Sequence, residues 1–80
     1  MKLTIQMYAV LKSHFEPLFE LQADALHSVA DLKSELSLRN PEAAGLISRC
    51  RFAIKDELVS DTAPLSEGDT VHVIPPSSGG

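Results

Sequence analysis

Residues 28–40 carry the clearest helical pattern in this chain, while most of its other apolar residues alternate with period two. That contrast limits the fold more than any other feature. Val29, Leu32 and Leu36 recur at spacings of three and four and make one apolar stripe. Ser28 is placed to accept the Asp31 backbone N–H, so Ser28-x-x-Asp31 resembles a capping box with Asp in place of Glu. The first turn is also where a carboxylate suits the helix dipole. Asn40-Pro41 stops the helix, because the residue before proline is steered out of the α region. One such helix covers one face of one sheet.

The alternating segments supply that sheet. Leu3, Ile5 and Met7 alternate with Lys2, Thr4, Gln6 and Tyr8 and predict a half-buried first strand. Ala9 to Phe15 fits a helical turn or two, with Pro17 beyond it. Leu18 to Gln22 alternates again, with Phe19 and Leu21 on one face, and can pair antiparallel with the first strand. Glu42 to Ile47 fits a short second helix. Cys50, Phe52 and Ile54 against Arg51, Ala53 and Lys55 predict a third strand. Lys55-Asp56-Glu57 reads as a turn, Leu58-Val59-Ser60 as a short fourth strand, and Leu65 as a core plug in a loop. Gly68 fills a turn position that wants positive φ. In the last strand Val71 and Val73 point one way, and Thr70, His72 and Ile74 the other. The expected fold is α+β: a mixed sheet on one main helix, with first and last strands adjacent in the middle. That is the ubiquitin-like β-grasp arrangement, over residues 1–74, with an extended tail at 75–80.

Eighty residues make one small domain, too small to enclose a deep catalytic cleft. A net charge of −4 argues against nucleic acid, since phosphate contacts need a basic face. It suits instead a basic pocket on a partner protein. No apolar run is long enough to span a bilayer, and the opening residues alternate rather than form a signal peptide. A single cysteine, Cys50, precludes an internal disulfide framework and fits a reducing, cytoplasmic setting.

The sequence closes on Gly79-Gly80 after Pro75-Pro76-Ser77-Ser78. Proline stiffens the exit from the last strand, and two residues without Cβ let other groups close around a reactive carboxylate. A frayed tail is the competing reading. Extended, the six residues from Pro75 to Gly80 reach roughly 18–20 Å. Ile74, pointing away from Val71 and Val73, is a candidate docking residue together with Ala53 and His72, unless another part of the chain covers it. Cys50 reads as core packing rather than a redox or persulfide site. His14, His27 and His72 show no metal-ligand spacing with Cys50. Ser77 and Ser78 have no readable triad partners.

The run Glu67-Gly68-Asp69-x-Val71-x-x-Ile74-Pro75-Pro76-x-Ser78-Gly79-Gly80 resembles the C-terminal signature of the small, sulfur-carrying subunit of molybdopterin synthase. Ala53-Ile54-Lys55-x-x-Leu58-Val59-Ser60, Pro64-Leu65 and Ala9-Val10-Leu11-Lys12 match that family's rhythm, whereas Met7-Tyr8 stand where paired phenylalanines are common. The resemblance implies a sulfur carrier with no bound cofactor and no catalytic groups of its own. An E1-like adenylyltransferase would use ATP to form a Gly80 acyl-adenylate, and a sulfur donor protein would convert it to a thiocarboxylate. Gly79 and Gly80 would thread into the large synthase subunit of a heterotetramer, delivering sulfur to a cyclic pterin precursor. Ile74, Pro75, Pro76, Ser77, Ser78, Ala53 and His72 would meet the partner. Carriers for thiamine or tRNA thiolation, and ubiquitin-like modifiers joined to lysine, share the fold and the Gly-Gly ending and stay open at this point.

Overall fold

The computed structural model describes residues 1–76. Five strands form one sheet: β1 (Lys2–Met7), β2 (Leu18–Gln22), β3 (Arg51–Ile54), β4 (Glu57–Val59) and β5 (Thr70–Ile74). Their order across the sheet is β2-β1-β5-β3-β4. β1 and β5 run parallel at the centre with Ile5 opposite Val71, and every other pairing is antiparallel. The main helix α1 (Val29–Arg39) and a short α2 (Ala44–Arg49), entered through a 3₁₀ turn at Pro41–Ala43, complete the domain. This is the expected β-grasp, with the first and last strands side by side in the middle.

Local chemistry explains the borders of α1. The Asp31 N–H donates to Ser28 Oγ, and the His27 and Ser28 N–H groups donate to Asp31 Oδ2 at 2.9 and 3.1 Å. The reciprocal box therefore forms with Asp, whose shorter reach still spans both donors. These bonds hold the Asp31 carboxyl below its ordinary value of 3.8, the His27 N–H contributing most. At the other end Asn40 ends the helix, and its Nδ2 donates to His14 O at 2.8 Å, tying the helix to the segment after β1.

The core lies between α1 and one sheet face. Leu3, Ile5, Met7, Leu21, Phe52, Val71 and Val73 meet Val29, Leu32 and Leu36, all at 1% exposure or less. Leu65 plugs one end, and no polar side chain is buried among the described residues. Gly68 does turn with φ 84°, and its N–H donates to Lys2 O at 2.8 Å, aligning β5 with β1.

Several boundaries differ from the sequence expectation, the second helix among them: expected over Glu42 to Ile47, it is a 3₁₀ turn at Pro41–Ala43 followed by α2 at Ala44–Arg49. Cys50 stands outside β3 as the residue closing α2, its N–H bonded to Ile47 O. β4 starts one residue early because Lys55 (φ 53°) and Asp56 (φ 65°) fill a two-residue turn, which brings Glu57 opposite Ile54.

Candidate functional site

The sheet face away from α1 is where the candidate residues gather. Parity sends Thr70, His72 and Ile74 to this side of β5. The antiparallel register sets Ala53 of β3 directly opposite His72, and Leu58 of β4 directly opposite Ala53. On the other flank Gln6 of β1 pairs with His72. Tyr8, two residues on, keeps the same parity and reaches His72: its Oη lies 2.7 Å from Nδ1, with ring centroids 5.8 Å apart.

The chain then turns at Ala9, held in the left-handed region at φ 53°, into a 3₁₀ segment Ala9–Ser13. Its Leu11 is fully buried, while Val10 stays half exposed and joins the outer face. Pro75 and Pro76 continue from β5 along the same depression, and Asp56 stands exposed at its rim. The result is a shallow, open, mainly apolar surface at the point where the chain leaves the sheet. Val10 at 52% and Leu58 at 57% exposure are the kind of apolar surface that marks an interaction site.

The structure thus brings together Ala53, His72, Ile74, Pro75 and Pro76. Ser77, Ser78, Gly79 and Gly80 lie outside the described residues. Sequence reasoning missed Tyr8, Val10 and Leu58 as members of the surface. Tyr8 was legible from its period-two partnership with Gln6; Val10 was not, because its place depends on the backbone at Ala9.

Cys50 packs in the core at 6% exposure, with Sγ 3.3 Å from Leu46 O. Burial pushes its thiol above the ordinary 9.0, against the opposing pull of Lys33 and Arg49. A thiol held neutral and covered is a poor nucleophile, so Cys50 is a packing residue. The three histidines sit on separate parts of the chain, and among the described residues no group of three His, Cys, Asp or Glu side chains could hold a metal ion. No described helix is long and apolar enough to cross a membrane. The surface has the character of a binding face.

The model of the ThiS family matches residues 5–80, nearly the whole sequence. The chain belongs to the ThiS family. Among curated relatives, the molybdopterin synthase sulfur carrier subunit of Chlamydomonas reinhardtii is 37% identical over 67 residues, 81% of this chain and 78% of that protein. Solved structures share the fold of this ThiS-family chain, and two of them serve to illustrate it. One is the complex of subunits 1 and 2 of the molybdopterin-converting factor from Helicobacter pylori, at TM-score 0.70, 22% identity and full coverage of both chains. The other is small archaeal modifier protein 1 of Haloferax volcanii, at TM-score 0.79 and 15% identity, covering 95% of this chain and 98% of that one. At such identities the likeness speaks for the ubiquitin-like β-grasp alone.

Proposed function

We propose that this chain is the sulfur-carrying subunit of a molybdopterin synthase. The observation that carries the reading is its 37% identity to a protein of that description across four-fifths of its length. The geometry agrees with it. An apolar face surrounds the exit of β5, so a partner that covers this face also receives whatever follows Pro76. The partner in this reading is a large synthase subunit, and a two-subunit complex is recorded for the structural neighbour from Helicobacter pylori.

The chemistry follows from the Gly79-Gly80 pair. A terminal carboxylate is ionised at neutral pH and is a poor electrophile. In the proposed route the Gly80 carboxylate attacks the α-phosphorus of ATP on an E1-like enzyme, and pyrophosphate leaves. The acyl-adenylate is then open to the outer sulfur of a persulfide on a donor protein; a C–S bond forms as the C–O bond to AMP breaks, and a thiol reductant then cleaves the acyl disulfide, releasing the donor as its thiol. The resulting thiocarboxylate enters the large subunit and gives its sulfur to the cyclic pterin precursor. General acids and bases belong to the partners, and this chain is a non-catalytic member of a cytoplasmic heterotetramer.

The test is incubation with the E1-like enzyme, ATP and a sulfur donor, followed by intact mass and by conversion of the pterin precursor with the large subunit. The parent chain is expected to gain the mass of one oxygen-to-sulfur exchange and to support conversion. Deleting Gly80 shortens the arm by about 3.3–3.6 Å, more than a reacting contact tolerates, and is expected to abolish both. A deleted chain that performs equally overturns the terminal-glycine route. Isopeptide adducts to lysine would instead identify a modifier, and a thiocarboxylate that serves only thiamine or tRNA thiolation would identify a different carrier.

A further inference from the structure

Within the apolar face around the β5 exit stands the imidazole of His72, half-buried and, among the described residues, bonded on one side only. Tyr8 Oη lies 2.7 Å from His72 Nδ1. A phenol O–H is the better donor of the two groups, and an imidazole nitrogen the better acceptor, so the short contact is read as O–H···Nδ1. That bond leaves the ring proton on Nε2. Among the described residues Nε2 has no hydrogen-bond partner, and no buried side-chain nitrogen or oxygen lacks one, so Nε2 is open to solvent. On this face Ala53 flanks His72 from β3 and Gln6 from β1, and among the described residues the Gln6 amide makes no hydrogen bond to it.

We propose that the Tyr8–His72 pair presents a single directed donor, the His72 Nε2–H, and that it selects a partner surface carrying a neutral acceptor, a backbone or amide carbonyl, at that point of an otherwise apolar contact. The inference rests on the carrier reading and sharpens it, for it names what the large synthase subunit must offer. A neutral acceptor is favoured over a carboxylate because this chain carries a net charge of −4 and sets Asp56 on the rim of the same face. A second carboxylate brought into that field would be repelled. The selection works by penalty: once the apolar rim closes, a donor or an acceptor without its mate is stranded away from water. Tyr8 acts through His72, as a positioning residue that fixes the tautomer and the ring angle.

Two measurements decide the matter. Imidazole nitrogen NMR of the full free chain, in mildly alkaline buffer, is expected to report the Nε2–H tautomer for His72 and a shift toward mixed tautomers in Tyr8→Phe. A dominant Nδ1–H tautomer in the parent overturns the proposal without recourse to any partner. Calorimetric titration of the large synthase subunit then reads the partner side. His72→Phe keeps ring bulk but lacks the donor, and is expected to weaken binding roughly tenfold or more. His72→Gln carries an N–H at similar reach and is expected to recover most of the loss. Parent and His72→Phe chains binding equally would sink this proposal and leave the carrier reading intact. A parent chain that does not bind the large subunit at all would sink the carrier reading itself.

Discussion

The two faces of the sheet are built from the same strands by the same alternation, yet they have opposite fates. On the inner face Leu3, Ile5, Met7, Val71, Val73 and Phe52 are sealed by α1 at 1% exposure or less. On the outer face no described element covers Thr4, Gln6, Thr70, His72 and Ile74. The outer residues are also not uniform. Thr4 pairs with Thr70 at one end, and polarity falls along β5 toward Ile74, where Tyr8, Ala53 and Leu58 gather. Burial on the inner face is therefore a matter of stability. Apolar character on the outer face is concentrated where the chain leaves the sheet and suits the partner contact proposed above.

Breaking the inner face should have the largest effect on the free protein. Leu32 is fully buried under the sheet, and Leu32→Ala removes transfer energy and leaves a cavity. The expected loss is about 2–5 kcal/mol by chemical denaturation. A change well below 1 kcal/mol would mean that α1 does not seal this face as described.

The outer face should respond the other way round. Ile74→Asp sets a charge on a half-buried site at the end of β5, where the free chain can still hydrate it. Stability is expected to change by less than about 1 kcal/mol. Affinity for the large subunit is expected to fall on the order of 100-fold, because docking would bury an unpaired carboxylate. A folded variant with unchanged affinity removes Ile74 from the interface.

How much of this contrast is legible in the sequence follows from which physical rule decides each residue. Period two fixes the parity of Leu3, Ile5, Val71 and Val73, and the spacing of three and four fixes Val29, Leu32 and Leu36. Parity alone also assigns Ala53, His72 and Ile74 to the outer face. The rest depends on register and on backbone geometry that no periodicity encodes. Leu58 reaches the surface because Lys55 and Asp56 both turn with positive φ and place it opposite Ala53. Val10 does so because of Ala9. The Tyr8–His72 bond needs β1 and β5 to be parallel neighbours in one register out of several.

The helix that seals the inner face should carry a pH dependence of its own. Asp31 has its folded-state titration lowered, chiefly by the His27 N–H and then the Ser28 N–H. A lowered pKa means stability that is present above the unfolded value near 3.8 and is lost as pH falls through the folded value. Parent and Asp31→Asn stabilities are expected to converge on acidification across that window. Ser28→Ala, which removes the other half of the box, is expected to cost about 1 kcal/mol at neutral pH. Neither change touches the outer face, so affinity for the partner should stay as it is. Loss of affinity in either variant would show that the two faces are coupled through α1.

The smallest expected effect, and the one with the opposite sign, lies at Ala9. Its φ of 53° crowds Cβ against the backbone in a way that only glycine avoids. Ala9 is exposed, so removing its methyl opens no cavity in the core. Ala9→Gly relieves the strain and loses some through the greater freedom of glycine in the unfolded chain. The net is expected to be a gain of about 0.5 kcal/mol, read as a small rise in Tm. The same substitution at an ordinary helical or strand position would cost about 0.5–1 kcal/mol, so the sign is the test. A loss of that size would mean that Ala9 does not hold the left-handed turn in solution. The turn is what carries the chain from β1 into the 3₁₀ segment, burying Leu11 while leaving Val10 on the outer face. Without it Val10 would have no fixed place beside Tyr8, and the outer surface would shrink to the strand residues that parity alone provides.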